Sequence, residues 1–145
     1  MIEKIQADEA IQAPVANVQP AAQPLRVLLV EDDRSLRRYL EVVLTGEGYE
    51  VIVAVDGLAA MRATLTSPVD IVVTDAIMPN LNGYELVRFL RNTPQLSHLP
   101  IVLLSALEIK ESDSGDHKAD VCLSKPVSPE SLIKCLEELM REKRG

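Results

Sequence analysis

The sequence has few aromatic residues and few cysteines. It contains no tryptophan, one phenylalanine and three tyrosines, so a folded core must consist mainly of aliphatic side chains. The two cysteines, Cys122 and Cys135, match neither a metal-ligand spacing nor a disulfide framework, and we expect two thiols in a reducing compartment. No apolar run approaches the roughly 18 residues of a membrane-spanning helix. The N-terminus also lacks the apolar region of a secretory signal, so the sequence favours a cytoplasmic protein without membrane insertion.

The sequence also has fewer basic than acidic residues. The 145 residues include 15 Lys and Arg against 22 Asp and Glu, which gives a formal net charge of −7. Binding to a nucleic-acid backbone usually needs a basic face, so we predict no direct contact with nucleic acid. A divalent cation or a basic partner surface suits this charge better. The length fits one domain with an additional tail.

The first 24 residues differ in composition from the rest. They are rich in Ala, Gln and Pro, and Pro14, Pro20 and Pro24 interrupt any helix or strand. We predict a flexible N-terminal extension over residues 1–24 and a folded domain over residues 25–145. The alternative is a short helix around Ile2 and Ile5 that forms on a partner.

From Leu25 onward, short apolar runs alternate with segments of helical period, the pattern of βαβ units and a parallel sheet. The runs predict buried strands at 25–30, 51–55, 69–74, 101–105 and 121–124. Helices are predicted at 34–46, 57–66, 83–92 and 129–143. In the second of these, we expect Leu58, Met61 and Leu65 to form the buried face.

The segment between the fourth and fifth strands, "ALEIKESDSGDHK", has one helical turn followed by residues that favour turns. We therefore predict five strands and five helices, the fourth helix being short or irregular. Together these elements predict an α/β protein with a doubly wound parallel sheet.

Polar residues stand where the predicted strands end. Ligands bind at the carboxyl ends of strands in an open α/β sheet, so these residues define a candidate site. Crowded carboxylates repel one another, and Mg²⁺, which prefers oxygen ligands and often shares them with phosphate, relieves that repulsion. A lysine and a hydroxyl nearby suit phosphoryl oxygens, so the set suggests phosphoryl transfer with Asp75 as nucleophile. The set comprises Glu31, Asp32, Asp33, Asp75, Ser105, Lys125 and, after the lysine, Pro126.

Each residue also has a structural alternative. Asp33 suits the N-cap of the helix that follows it, while Glu31 and Asp32 could be solvated loop acids. Ser105 alone would be an ordinary hydroxyl at a strand end, and Lys125 alone a surface lysine. Their joint placement at strand ends favours a functional site.

Over residues 25–143, the sequence closely resembles the receiver domains of two-component response regulators. The segments that carry the resemblance are "VLLVEDD", "GYEVIVAVDGLAAM", "DIVVTDAIMPNLNGYEL", "LLSA" and "LSKPVSPESL". The resemblance implies a sheet in the CheY-like order 2-1-3-4-5. It also implies a bacterial, Mg²⁺-dependent protein that accepts a phosphoryl group from a sensor histidine kinase or a histidine phosphotransfer protein.

The family assigns roles to the matching positions. Asp75 resembles the phosphoacceptor, and Ser105 and Lys125 resemble the hydroxyl and ammonium that contact the phosphoryl group. Ser105 would also act as a switch, Pro126 would follow a cis peptide bond, and Met78, Pro79 and Gly83 would shape the loop that presents Asp75. The implied metal ligands are Asp32, Asp75, the Ile77 carbonyl and, through water, Glu31.

The sequence departs from the family near the fifth strand. Cys122 occupies the position of an aromatic switch residue, and Lys118, Ala119 and Asp120 replace a common Gly-Ala-Asp. The stretch from Ser105 to Lys125 is also shorter than usual. These departures fall on the face formed by the fourth helix, fifth strand and fifth helix, which many members use for a downstream partner or for homodimers. We therefore expect an unusual output surface beside intact phosphoryl-transfer chemistry.

Three functions remain for comparison. The leading expectation is a stand-alone receiver, or a piece of a larger parent protein, that switches a protein-interaction surface and is not a turnover enzyme. The second is an interaction module that works without phosphorylation. The third is a phosphatase with an aspartyl nucleophile, although such enzymes commonly need an acid at the position of Ile77. Because Ile77 is apolar, we also expect a long-lived phosphorylated state.

Overall fold

The computed structural model describes residues 23–106 and 118–144. It contains a five-stranded parallel sheet in the order β2-β1-β3-β4-β5, as the resemblance implied. The strands are β1 (Arg26–Val30), β2 (Glu50–Ala54), β3 (Ile71–Asp75), β4 (Ile101–Ser105) and β5 (Val121–Ser124).

Four helices occur in the described residues, and each follows a strand or its loop. They are α1 (Arg34–Gly46), α2 (Gly57–Thr66), α3 (Gly83–Asn92) and α4 (Pro129–Arg144). The predicted short helix between the fourth and fifth strands falls mainly on residues 107–117, and most of the predicted N-terminal extension on residues 1–22, both outside the described residues. In the described part, no helix is long and apolar enough to cross a bilayer.

Capping residues set the helix starts that the sequence predicts. Asp33 caps α1 by accepting a hydrogen bond from the Leu36 amide at 3.2 Å. Asn82 and Glu85 form a reciprocal capping box at α3. Ser128 accepts from the Ser131 amide at 3.1 Å at the start of α4. Each cap satisfies amides that the first helical turn leaves without partners, so each helix begins at the residue after its cap.

The sheet separates two aliphatic cores. Leu40 and Leu44 of α1 pack with Leu132 and Leu136 of α4 on one face of the sheet. On the other face, α2 and α3 cover a second core. The three central strands β1, β3 and β4 are almost completely buried, which explains their continuous apolar runs.

The prediction of the buried face of α2 is wrong for Leu58 and Leu65, whereas Met61 packs against the core. Leu58 is 44% exposed and Leu65 is 63% exposed, whereas Gly57, Ala60 and Thr64 are buried. At Gly57 the absence of a side chain has a clear reason, because α2 begins against the loop that follows β3. A Cβ atom at Gly57 would collide with the Leu81 carbonyl oxygen.

Gly83, the first residue of α3, lies against the end of β3. A Cβ atom there would collide with the Asp75 carbonyl oxygen and would lie 2.9 Å from Ala76 Cα. The Gly83 amide also donates to the Ala76 carbonyl at 2.8 Å. This close approach holds α3 directly behind the end of the strand.

We predict that Gly83→Ala destabilises the protein by about 1–3 kcal/mol, since the added methyl group must displace backbone rather than a mobile side chain. Urea unfolding followed by circular dichroism measures the change. Gly46→Ala is the matched control, because no atom lies within 4 Å of the Cβ position at Gly46. Equal effects of the two substitutions would contradict the proposed crowding.

Candidate functional site

The sheet brings the predicted polar residues together at one rim. Asp75 ends β3 and Ser105 ends β4, and both residues are buried, with 6% and 3% of their surface exposed. Lys125 directly follows β5, and Glu31 and Asp32 directly follow β1. Because neighbouring strands are parallel, their carboxyl ends meet on the same edge. All five residues therefore lie at this edge, which we call the acidic rim.

Backbone hydrogen bonds carry the strand alignment into the loops. The Lys125 amide donates to the Ser105 carbonyl at 2.7 Å, and the Ala76 amide donates to the Leu104 carbonyl at 2.8 Å. The Glu31 amide likewise donates to Ala54 at 3.1 Å. These bonds continue the hydrogen-bonding pattern of the sheet beyond the strand ends. The register of the sheet therefore determines the backbone positions of the rim residues.

Lys125 joins two of the carboxylates. Its Nζ atom lies 2.9 Å from Asp75 Oδ1 and 3.2 Å from Glu31 Oε1. Burial lowers the pKa of the Lys125 ammonium, but the hydrogen bond to Asp75 and the charges of both carboxylates outweigh burial. The pKa of Lys125 is therefore raised above its ordinary value, and the side chain remains a cation.

Glu31 is the most buried acid of the rim, with 1% of its surface exposed. Burial raises the pKa of the Glu31 carboxyl, and the negative charge of Asp75 adds to that shift. The hydrogen bond from the Asp33 amide and the charge of Lys125 act in the opposite direction without cancelling it. Both Glu31 oxygens have partners, since Oε2 accepts from Asp33 at 3.1 Å. Glu31 is thus a buried acid that further positive charge at the rim would stabilise.

Glu31, Asp32 and Asp75 have the donor set of a divalent-cation site. Each offers a carboxylate oxygen, and these oxygens lie within 4.8 Å of one another. Asp32 is exposed and can turn toward an ion, whereas Glu31 is already engaged. Three acids face one ammonium in this cluster, so the residues present fit a hard cation such as Mg²⁺.

Ile77 and Pro126 lie in the loops that follow β3 and β5. Ile77 follows Asp75 by two residues, and its side chain is 58% exposed. The peptide bond between Lys125 and Pro126 is cis, the form that the resemblance implied. Met78 is buried and Pro79 is exposed in the loop between β3 and α3. The roles of these residues remain predictions.

Cys122 lies on β5, opposite Leu103 of β4, and packs against the core covered by α2 and α3. The Asp120 side chain accepts from the Ile101 amide at 2.7 Å and pairs with Arg91 at 2.8 Å. Part of the predicted output face falls on the short helix predicted between the fourth and fifth strands, mainly at residues 107–117, outside the described residues. The switch roles of Ser105 and Cys122 therefore stay predictions.

Sequence reasoning missed one group that contacts the rim and one that contacts the loop after β3. Arg37 of α1 donates to the Glu31 carbonyl at 2.9 Å and to the Asp32 carbonyl at 3.3 Å. Asp56 caps α2 through the Ala59 amide at 2.8 Å and accepts from the Asn80 side chain, also at 2.8 Å. The bond from Ala59, followed by that from Asn80, lowers the pKa of Asp56. The position of Asp56 directly before a predicted helix is a sequence signal for an N-cap. No sequence signal indicates that Asp56 pairs with Asn80.

Comparison with known proteins gives the family. The sequence model of the response regulator receiver domain matches residues 27–137. The chain is 39% identical over 120 residues to the response regulator MprA of Mycobacterium sp. (strain KMS). The aligned residues cover 81% of this chain and 51% of MprA. It is also 34% identical over 117 residues to the response regulator ArlR of Staphylococcus epidermidis. The aligned residues cover 79% of this chain and 52% of ArlR. The chain thus spans about half the length of these curated relatives.

Solved structures give the same fold. The chemotaxis response regulator CheY4 of Vibrio cholerae is 32% identical with a TM-score of 0.74, over 79% of this chain and 98% of CheY4. The receiver domain of the Francisella response regulator 1452 is 30% identical with a TM-score of 0.75, over 82% and 98% of the respective chains. The chain therefore belongs to the response regulator receiver domain family of two-component signalling.

The two thiols allow a test of the packing around β5 and α4. Burial, followed by the charges of Glu138 and Asp120, raises the pKa of Cys135 to about 11, and burial raises the pKa of Cys122. We predict that both react slowly with Ellman's reagent near pH 8, because a raised pKa leaves less thiolate. Both rates should rise with pH, and Cys135, only 8% exposed, should be the slower.

Absorbance of the released thiolate gives the rates, and Cys122→Ala and Cys135→Ala assign each one. Unfolded protein in denaturant is the control in which both thiols react fast. A native rate for Cys135 that equals its unfolded rate would show that the packing around α4 is wrong.

Proposed function

We propose that this receiver domain accepts a phosphoryl group on Asp75 from a phosphohistidine. The donor is a sensor histidine kinase or a histidine phosphotransfer protein, because receiver domains of response regulators are generally phosphorylated by histidine kinases. The observation that carries the proposal is the ammonium of Lys125 within 3.2 Å of both Asp75 and Glu31, at a rim where three carboxylates converge.

The transfer uses Asp75 as a nucleophile. A carboxylate oxygen of Asp75 attacks phosphorus, a P–O bond forms, and the P–N bond of the donor breaks. The imidazole nitrogen leaves with the electron pair of that bond and takes up a proton. A carboxylate nucleophile, unlike a hydroxyl, needs no general base for such an attack.

Residues of the rim stabilise the charge on the phosphoryl oxygens. Lys125 already contacts Asp75 Oδ1 at 2.9 Å, so its ammonium lies beside the group that the phosphoryl joins. The Ser105 hydroxyl, at the end of the neighbouring strand, is a donor for a second phosphoryl oxygen. Glu31, Asp32, Asp75 and the Ile77 carbonyl would hold Mg²⁺. When bound, the ion supplies positive charge against the phosphoryl oxygens.

The proposed output is a changed protein-interaction surface rather than turnover of a substrate. A phosphoryl group adds negative charge and acceptor oxygens at a buried rim, which biases the nearby loops between two arrangements. Support for a signalling role comes from the family and from relatives that are response regulators. We further propose that the protein acts in the bacterial cytoplasm, where histidine kinases present their phosphohistidines.

We predict that the protein gains one phosphoryl group when incubated with acetyl phosphate and Mg²⁺. Intact mass spectrometry measures the gain, which should be lost with Asp75→Asn and strongly reduced by EDTA. Asp33→Asn is the matched control, because Asp33 caps α1 and should leave phosphorylation intact. No gain under any condition would favour the phosphorylation-independent module, and turnover of many equivalents would favour an enzyme.

We predict that Ile77→Asn shortens the lifetime of the phosphorylated protein. The exposed Ile77 side chain has no polar atom to orient a water molecule, whereas an amide can donate to and accept from water. Loss of the phosphoryl mass after removal of acetyl phosphate gives the rate. Ile77→Val is the control with an unchanged apolar character. An Asn variant that loses phosphate no faster than the Val variant would show that position 77 does not limit hydrolysis.

A further inference from the structure

The loop between β3 and α3 is held at both ends by backbone hydrogen bonds. The Ala76 amide donates to the Leu104 carbonyl of β4 at 2.8 Å, and the Gly83 amide of α3 donates to the Ala76 carbonyl, also at 2.8 Å. Asn82 completes the loop as the N-cap of α3. These contacts fix the two ends of the loop and leave residues 77–81 to be restrained by other groups.

The start of α2 restrains the middle of this loop. The Asn80 side chain donates to Asp56 Oδ2 at 2.8 Å, and the Gly57 amide donates to the Leu81 carbonyl at 3.1 Å. Among the residues that the structure describes, no further hydrogen bond reaches the middle of the loop. Met78 and Leu81 pack against the core, so burial adds to these two bonds.

The backbone at Asn80 is in the left-handed region, with a φ of 70°. Glycine adopts this conformation without steric cost, and Asn is one of the few other residues that tolerate it. The backbone alone would therefore favour glycine at position 80. The asparagine side chain supplies an amide donor that glycine lacks, and this donor contacts Asp56.

Asp56 uses its two oxygens for two different contacts. Oδ1 accepts from the Ala59 amide at 2.8 Å and caps α2, while Oδ2 accepts from Asn80. A serine would also suit the N-cap, but its side chain has a single oxygen. The carboxylate can therefore cap the helix and hold the loop at the same time. We call the bond between Asp56 and Asn80 the α2–loop tether.

The tether lies close in sequence to the proposed metal ligands. The Ile77 carbonyl, one ligand of the proposed Mg²⁺ site, is three residues before Asn80, and Asp75 is two residues before Ile77. Mg²⁺ demands near-ideal octahedral geometry from its ligands. The apparent affinity of a site also falls with the fraction of time that its binding-competent conformation is populated. A bond that restrains this loop can therefore raise the affinity for the ion without contacting it.

We propose that Asp56 and Asn80 are positioning residues of the metal site. Their hydrogen bond holds residues 77–81 so that the Ile77 carbonyl and the Asp75 carboxylate are directed at the same ion. The inference rests on the Mg²⁺ site of the proposed function, and both residues act through the loop.

Mn²⁺ binding tests the proposal in the full chain without any phosphoryl donor. Mn²⁺ takes the same oxygen ligands as Mg²⁺, and electron paramagnetic resonance measures the free aqueous ion. Asp56→Ser and Asn80→Gly should each weaken Mn²⁺ binding by about fivefold, the effect of one hydrogen bond of ordinary strength. The serine keeps the N-cap of α2, and the glycine suits the left-handed backbone.

Asp56→Asn is the matched control. It removes the same charge as Asp56→Ser, but an asparagine can cap α2 and also bond to Asn80 once the Asn80 amide turns over. We therefore expect Asp56→Asn to bind Mn²⁺ nearly as the wild type does. The double variant Asp56→Ser with Asn80→Gly should bind no more weakly than the weaker single variant, since both substitutions remove one bond.

Asp32→Asn distinguishes a failure of the metal site from a failure of the tether. It should strongly weaken Mn²⁺ binding, because Asp32 belongs to the cluster of three carboxylates. No binding by the wild type, or no loss with Asp32→Asn, would overturn the metal site and the positioning role together. Binding at the rim that Asp56→Ser and Asn80→Gly leave unchanged would overturn the positioning role alone.

Two further results would also overturn the positioning role. Equal losses in Asp56→Asn and Asp56→Ser would trace the effect to charge, and additive losses in the double variant would show that the two residues act separately. Urea unfolding of the same variants measures their stability. A loss of stability with unchanged Mn²⁺ affinity would give the pair a role in folding only.

Discussion

The bridge from Lys125 to Asp75 and Glu31 is the interaction on which the site depends. Carboxylates buried at 6% and 1% exposure would be costly without a compensating cation, and Lys125 alone neutralises one of them. The remaining negative charge fits the donor set of a divalent-cation site. The position of Lys125 depends in turn on its own amide, which donates to the Ser105 carbonyl at 2.7 Å. The electrostatics of the rim thus rest on the register of β4 and β5.

Much of the fold could be predicted because its determinants are local. The strands at 101–105 and 121–124 and the helices at 34–46, 57–66 and 83–92 begin and end where the sequence predicts, since turn residues and caps bound each apolar run. The buried face of α2 could not be predicted, because Leu58 and Leu65 share a helical period as good as that of Ala60 and Thr64. A Cβ atom at Gly57 would collide with the Leu81 carbonyl oxygen, and this contact between distant segments requires glycine on the inward face of the helix.

The candidate site likewise contains residues that the sequence predicts and residues that it does not. Its acids, hydroxyl and lysine could be predicted because each stands at the end of an apolar run, and a parallel sheet gathers such ends. The groups that hold them could not be predicted. Arg37 reaches back from α1 to two carbonyls, and Asn80 reaches across to Asp56, contacts that depend on side-chain direction rather than on spacing. Alignment to the family identifies the acids, the hydroxyl and the lysine. The contacts of Arg37 and Asn80 are visible only in the three-dimensional structure.

The loop that follows Asp75 contacts the start of α2. The Asn80 side chain donates to Asp56, the N-cap of α2, and the Gly57 amide donates to the Leu81 carbonyl at 3.1 Å. A rearrangement of this loop must either break these two bonds or move the start of α2 with it. The same contacts place the loop after β3 against the first turn of α2, and the crowding at Gly57 leaves no room for a side chain between them. The geometry of the acidic rim near Asp75 therefore depends on the start of α2 as well as on the register of the sheet.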